Sequence, residues 1–392
     1  MLKEKVISQS AAVFDEVVAF RRHLHSHPEL SFQEKETASF IRGILDQWKV
    51  EYDYPVGGEG IVARVHGKKP SSRHFALRAD MDALPIAEQT NAPYKSQNPG
   101  VMHACGHDVH TACLLGAIKI LQTNSSEWEG TVTCVFQPAE EKLPGGASLM
   151  LKDGLFENQK PTGIFGQHVF PELSAGKVGF FPGSYMASTD ELYFTINGKG
   201  GHGAKPEQVI DPVLIAAHVI VALQQIPSRR SSPMMPVVLS VGRVIADGAT
   251  NIIPSKVTME GTFRTFDEAI RAESHQHIES LVKGIAQSMG GNAEVEIRRG
   301  YPVVNNDVSL THRAIDAAKE LLGEENVVAL ERRTTAEDFA YYTQIMPGCF
   351  YRLGTAGENG THQFGVHHPQ FDIEEKAMST GVALMAWLAM QV

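Results

Sequence analysis

His74-Phe75-Ala76-Leu77-Arg78-Ala79-Asp80-Met81-Asp82-Ala83-Leu84-Pro85 reads as a strand that runs into acid. Residues 74–79 have the composition of a short buried strand, and the turn after them carries two carboxylates before a proline. Carboxylates just past a strand's carboxyl end lie where open α/β sheets bind ligands. Outward from this stretch, residues 61–66, 131–136 and 163–168 also read as strands, and residues 113–121 as a helix. Before them, Val13, Val17, Phe20 and Leu24 recur at helical spacing, as do Ala38, Ile41, Leu45 and Trp48. Pro28 should end the first helical region, because it disfavours the helical conformation of His27. Strands and helices in alternation predict an α/β layered domain.

The middle of the chain has another order. Residues 192–197 read as a strand, and 212–225 as a helix opened by Pro212. Residues 236–244 and 257–263 read as two consecutive strands. A long helix follows over 267–289 with Asp267 as its N-cap, then a strand over 293–298. The order β-α-β-β-α-β is the split unit of ferredoxin-like folds. Residues 184–299 are therefore expected to form an α+β domain inserted into a larger α/β one, made of residues 1–183 and 300–392. In the last part, 316–322, 336–345 and 374–390 read as helices and 349–353 as a strand.

Composition narrows the function classes. A chain of 392 residues fits two domains of ~100–200 residues each. With 35 basic against 45 acidic residues the net charge is −10, which argues against a nucleic-acid partner, since phosphate binding needs a basic face. The four cysteines, at 105, 113, 134 and 349, are too far apart to suggest a disulfide scaffold. The N-terminal residues lack the apolar block of a signal peptide. The most apolar stretch, 213–223, is shorter than a bilayer span and holds His218. A cytoplasmic protein with no membrane partner is expected.

Four further segments carry candidate chemistry. Met102-His103-Ala104-Cys105-Gly106-His107-Asp108-Val109-His110 packs thiolate and imidazole ligands around a glycine, a pattern suited to zinc on a loop. His23, His25 and His27 read as helix-end or supporting groups instead. Phe136-Gln137-Pro138-Ala139-Glu140-Glu141 ends a strand in adjacent carboxylates, one able to bind metal and the other to act as general base. His168 ends another strand, and His367-His368 precedes Pro369. Cys105, His107, Glu141, His168 and His367 exceed the needs of one tetrahedral ion and suit two metals sharing a bridging ligand. The thiolate favours zinc, while the other donors admit manganese, cobalt or nickel.

RADMDALP (78–85), MHACGHDVH (102–110), QPAEE (137–141), GKGGHGAKP (198–206), TNIIP (250–254), GTFRT (261–265), AEDFAYY (336–342) and HHPQF (367–371) occur in that order. Together they resemble the N-acyl-amino-acid amidohydrolases, the group of hippurate hydrolase, bacterial aminoacylases and plant auxin-conjugate hydrolases within the dinuclear metallopeptidases. The resemblance spans nearly the whole chain. It implies a metallopeptidase-like α/β/α catalytic domain and a ferredoxin-like lid through which the chain forms a homodimer. It implies that the five residues above hold two divalent ions, with His367 chosen over His368. By the same resemblance Glu140 is the general base, Asp80 orients a metal-site group and His202 helps to hold the oxyanion. Arg78 stands where peptidase cousins have a histidine ligand, and Lys142-Leu143-Pro144 replaces a shorter glycine-rich link.

The expected reaction is hydrolysis of an N-acyl amino acid to a carboxylic acid and a free amino acid. Asn251 and Arg264 are candidates for binding the substrate carboxylate. Two other readings stay open at this point: a cysteine hydrolase using Cys105 and His107, and a metal-binding protein without catalysis.

Overall fold

The computed structural model describes all residues except 1, 72, 358–360 and 363. It divides into two compact units. The first contains Met1–Gly183, Asn305–Glu331 and Asp338–Val392, and the second Ser184–Val304 and Arg332–Glu337.

An eight-stranded sheet organises the first unit, in the order Glu51–Val56, Gly60–His66, Thr131–Gln137, His74–Asp80, Gly163–Ser174, Gly348–Ala356, Val178–Phe180 and Val327–Ala329. The four strands from Thr131–Gln137 to Gly348–Ala356 in that order are mutually parallel, with antiparallel neighbours beside them. Strand His74–Asp80 is buried along its whole length, as expected of a strand covered on both faces. Its odd positions, Phe75, Leu77 and Ala79, join Val132, Cys134 and Phe136 in the main core. The alternate positions point the other way, where Arg78 and Gln137 meet Asp338.

Helix His107–Thr123 lies at the centre of that core and packs against Ala377–Gln391 and Phe14–Ser26. All but three of its residues are buried, which is why its sequence is apolar nearly all round. It starts six residues earlier than the sequence pattern suggested, so His107 opens a helix and does not sit in a loop. The helix Val308–Leu322 is also longer than expected. Within 336–345 only Ala340–Thr343 is helical, because Asp338 is drawn into buried contacts at the sheet's end. Helix Phe14–Ser26 does stop before Pro28.

The second unit has a four-stranded sheet in the order Val237–Ile245, Lys256–Thr265, Asp190–Asn197 and Asn292–Arg299, with every neighbour antiparallel. Helices Pro212–Leu223 and Glu268–Ser288 pack on each other and share a core with the sheet that includes Phe194, Val219, Met259 and Ile278. Asp211 and Asp267 cap them, each accepting two backbone N–H groups at 2.8–3.2 Å. Among the described residues no helix is long and apolar enough to cross a membrane.

Candidate metal centre

Ladder register lines up the chemistry. Asp80 pairs with Gln137, Arg78 with Gly166 and Arg352 with His168, so the ends of four strands meet at one level. Gly106 brings the cysteine–histidine segment down onto this row. It caps the helix in the left-handed region, at φ +83°, and a Cβ there would come within 2.6 Å of Val169 Cγ2. Glycine alone meets both demands.

Five ligand candidates from four distant segments converge here. Cys105 Sγ lies 3.5 Å from His168 Nε2. Glu141 Oε1 lies 3.1 Å from His367 Nε2 and 4.0 Å from His107 Nε2. The His367 backbone N–H donates to Ala104 O at 2.7 Å and so ties the last segment to the cysteine loop. His368 instead turns its Nδ1 to the Gln370 N–H and stacks on Phe364. Two overlapping triads, Cys105–His107–His168 and Cys105–Glu141–His367, each hold their donor atoms within 4.8 Å of one another. A third, His107–Glu140–Glu141, brings in the other glutamate.

The far nitrogen of each ring decides what the near one can do. His107 Nδ1 faces the acceptor-only Asp82 Oδ1 at 3.2 Å, so it carries a proton and Nε2 is the atom left for the site. His168 Nδ1 donates to the Val169 carbonyl at 2.8 Å, again leaving Nε2. His110, one turn beyond His107, differs. Its Nε2 accepts the Val169 N–H at 2.9 Å and its Nδ1 donates to Asp80, so no lone pair remains for a metal. Asp80 therefore orients His110, while the carboxylate bonded to the His107 ring is Asp82.

Charge is concentrated and poorly solvated. Burial opposes ionisation of Asp80, yet Arg78, His107 and His110 hold it well below the usual carboxylate range. Burial alone would lower His107, but Asp80, Asp82 and Glu141 outweigh it and raise the ring to about 10. The Cys105 thiol is pushed far up by burial and then by Glu141 and Glu140, so it becomes a thiolate only beside a cation. Two buried atoms, His107 Nε2 and Glu141 Oε1, have no hydrogen-bond partner. Such an orphan costs ~1–3 kcal/mol. Nitrogen, oxygen and sulfur donors so placed fit divalent metal of the zinc type.

Residues 76–391 match peptidase family M20/M25/M40. The N-acetylcysteine deacetylase of Bacillus subtilis is 41% identical over 377 residues, covering 96% of each chain. The chain belongs to this family. It is a metal-dependent amidohydrolase of the N-acyl-amino-acid branch. The N-acyl-L-amino acid amidohydrolase of Geobacillus stearothermophilus is 44% identical over 309 residues, 78% of this chain and 82% of that one. A crystal structure described as a dinuclear metal-binding M20 peptidase, from Bacillus subtilis, superposes with a TM-score of 0.84 at 38% identity, covering 97% of this chain and 98% of that one.

Around the M20 centre stand residues the sequence reading left without a role. Asp82 and Asp338 lie within the motifs 78–85 and 336–342, and Glu34 lies in none. Asp338 accepts from Arg78, from Gln137 Nε2 and from the Ala147 N–H, and its own N–H lies 3.4 Å from Glu140 Oε1. Glu34 accepts the Ala139 N–H at 2.7 Å, and burial, then Asp82, raises its carboxyl to about 7. A buried acid at a strand end was the available signal for Asp82; for Glu34 there was none.

The remaining candidates belong to the second unit. His202 is exposed on a short ladder opposite Ile252, and its Nδ1 accepts the Ala204 N–H at 3.1 Å, which leaves Nε2 as the protonated donor. Asn251 is its neighbour on this ladder through its carbonyl, which accepts the Gly203 N–H. Arg264 is half-buried and donates to Thr334 O at 2.9 Å.

Proposed function

We propose that this M20-family enzyme cleaves the amide bond of N-acyl amino acids, with Cys105, His107, Glu141, His168 and His367 holding two divalent ions and Glu140 as general base. The observation that carries this is the pair of orphaned buried atoms, His107 Nε2 and Glu141 Oε1, inside two overlapping donor triads. Zinc suits the thiolate best, with manganese, cobalt or nickel admitted by the other donors.

When bound, such ions would lower the pKa of a water and draw charge from an amide oxygen. The chain's own residues do the rest. Glu140, buried beside Glu141, takes the proton of the attacking water and then passes it to the leaving nitrogen. His202, with its Nε2–H free to donate, holds the oxyanion. Asn251 and Arg264 bind the carboxylate of the amino acid. Asp80 keeps His110 in place between the Val169 N–H and the site.

The second unit is read as a ferredoxin-like lid, on the support of its strand order and two packed helices. The homodimer expected through it is supported by apolar residues on helix Pro212–Leu223 that stay in solvent, Val213 at 41%, Leu214 at 51% and Val221 at 74% exposure. Four free thiols agree with a cytoplasmic protein.

The cysteine-hydrolase alternative needs Cys105 ionised by an adjacent base. The expected base was His107, but the ring that hydrogen-bonds Cys105 Sγ, at 3.5 Å, is His168, and burial, then Arg352, holds that ring well below the usual histidine range. A purely metal-binding protein has no use for Glu140. The test is a hydrolysis screen over N-acetyl, N-benzoyl and indole-acetyl amino acids, with protein stripped of metal and reconstituted ion by ion. Turnover only with metal is expected. Turnover by metal-free protein that alkylation of Cys105 abolishes would overturn the reading.

A further inference from the structure

The face of the large sheet that carries Arg78 and Gln137 holds a second polar row at its opposite end. His74 opens strand His74–Asp80 and points to the same side as Arg78, about 20 Å from Asp80 at ~3.3 Å per residue. Arg64 of strand Gly60–His66 lies opposite Thr133 of strand Thr131–Gln137, and Thr133 Oγ1 is 2.7 Å from His74 Nε2. A cavity of about 440 Å³ opens over this row, lined as well by residues of the segment 153–159. Small-molecule pockets span ~300–1,000 Å³. The whole lining belongs to the first unit. Phe156 lines it at φ +72°, in the left-handed region that a residue with a Cβ seldom enters, and strain of this kind gathers at ligand clamps.

His74 is 7% exposed, and its buried Nδ1 has no hydrogen-bond partner. Burial, then Arg64 and His66, holds the ring below the usual histidine range, so it is neutral and carries one proton. Thr133, itself buried, decides where that proton sits. A proton on Nε2 would be accepted by the Thr133 hydroxyl, and both the hydroxyl proton and the Nδ1 lone pair would then lack a partner among the described residues. With the hydroxyl donating to Nε2, a single group is left over, the Nδ1–H. Buried polar groups without partners are costly, so the second arrangement is favoured.

Charge then selects the ligand. Arg64 donates through Nη2 to Asp53, and Asp153 accepts the Gly57 N–H at 2.7 Å with Oδ2, which leaves its Oδ1. A plain anion in the cavity would meet these two carboxylates. A plain cation would leave the His74 N–H without an acceptor. A zwitterion answers both, and Val62, Leu155 and Phe156 supply apolar wall for a side chain. We propose that this cavity is a second ligand site, for a free α-amino acid with an apolar side chain, its carboxylate held by His74 Nδ1–H and Arg64 and its ammonium by Asp153. The amino acid released under the reading above belongs to this class, and the cavity binds it whether or not that reading holds.

The experiment uses the zinc-loaded full chain with isotope-labelled histidine rings. The probe is L-leucine, with isocaproate and isoamylamine as the same skeleton without the ammonium and without the carboxylate. The ring-nitrogen NMR signals of His74 are identified by their absence in His74→Leu. Before any addition they should show Nδ1 as the protonated nitrogen. On addition of leucine to millimolar concentration they should shift saturably, and each analogue should bind at least ~10-fold more weakly. Arg64→Met should weaken leucine at this site by ~10-fold, because a charge-assisted bond is lost. In both variants kcat and KM, read without added leucine, should stay those of the wild type.

His74 signals that stay fixed up to the solubility limit of leucine would overturn the site. Equal binding of all three probes would show an apolar cavity indifferent to charge and would overturn it too. If His74→Leu does not fold, Thr133→Val serves in its place. It removes the hydroxyl donor, lets the proton move to Nε2 and so identifies the His74 signals by their shift. It should also weaken leucine by roughly 3–10-fold. Unchanged leucine affinity in Thr133→Val would count against the site.

Discussion

Residues 102–110 feed two clusters of histidines and carboxylates, and the two are completed differently. On one side Asp108 joins Arg21, which is wholly buried and donates to Asp108 at 2.9 Å, Asp372 at 2.7 Å and Glu375 at 3.2 Å. His25 adds its Nδ1 at 2.8 Å from Asp108. Although burial opposes it, Arg21 and His25 hold the Asp108 carboxyl far below its usual range. This cluster has its own cation, although Asp108 Oδ1 and both ring nitrogens of the neighbouring His103 have no hydrogen-bond partner. On the other side Cys105, His107, Glu141, His168 and His367 converge, and the ion-pair partners of Glu141 are histidines. A buried group of donors that includes a guanidinium is a structural brace. A similar group whose protons sit on imidazoles and a thiol can release those protons and take a metal cation in their place.

The strongest way to break that contrast is to remove the metal. Chelation should abolish turnover and lower the melting temperature, and adding metal should restore both. A ligand at a thousandfold over its dissociation constant contributes ~4 kcal/mol to folding. If the stripped protein melts unchanged and still turns over, the two clusters do not differ in the way described.

Next in size are the two glutamates. Glu140→Gln keeps the shape and removes the base, so turnover should fall by ~10²–10⁴-fold with metal content unchanged. Glu141→Gln should lose metal as well. Kinetics beside elemental analysis separates the two, and near-normal turnover in Glu140→Gln would refute the assignment of the base.

His202→Ala tests a group outside both clusters. Turnover should drop by ~10²–10³-fold while metal content and fold are kept. If the ring serves a partner's site, mixing this variant with Glu140→Gln protein should recover some activity, since a mixed dimer can assemble one complete site. A variant with unchanged turnover would remove the role.

The smallest effect on catalysis is expected on the side of the brace. Arg21→Met takes the guanidinium from buried Asp108, which keeps only His25, and should cost about 3–5 kcal/mol of stability in denaturant unfolding. Zinc affinity should stay as in the wild type. A loss of zinc affinity as large as that of Glu141→Gln would show that the two clusters act as one.

Much of this protein can be read directly from its residues, for identifiable reasons. Strand His74–Asp80 was legible because a fully buried strand is a short apolar run with a polar stop. The caps Asp211 and Asp267 were legible because capping is local chemistry. The expected helix over 336–345 failed at Asp338, whose bonds to Arg78 and Gln137 come from residues some 200 or more positions away. Helical periodicity carries no trace of such partners.

The sequence by itself determined which atoms are available. Cysteine, histidine and paired glutamates near predicted strand ends name a metal-assisted chemistry before any coordinate is known, because ligand type and acid–base capacity are properties of the side chains. Tertiary structure alone decided which of them are open. His107 and His110 stand three residues apart on one helix, yet Val169 and Asp80 occupy both nitrogens of His110, while Asp82 takes only one of His107. Asp80 and Asp82, two residues apart in one turn, serve different histidines for the same reason. A hydrogen bond consumes a specific lone pair or proton, and its partner is set by strand register and helix placement across the fold. Spacing along the chain cannot supply that.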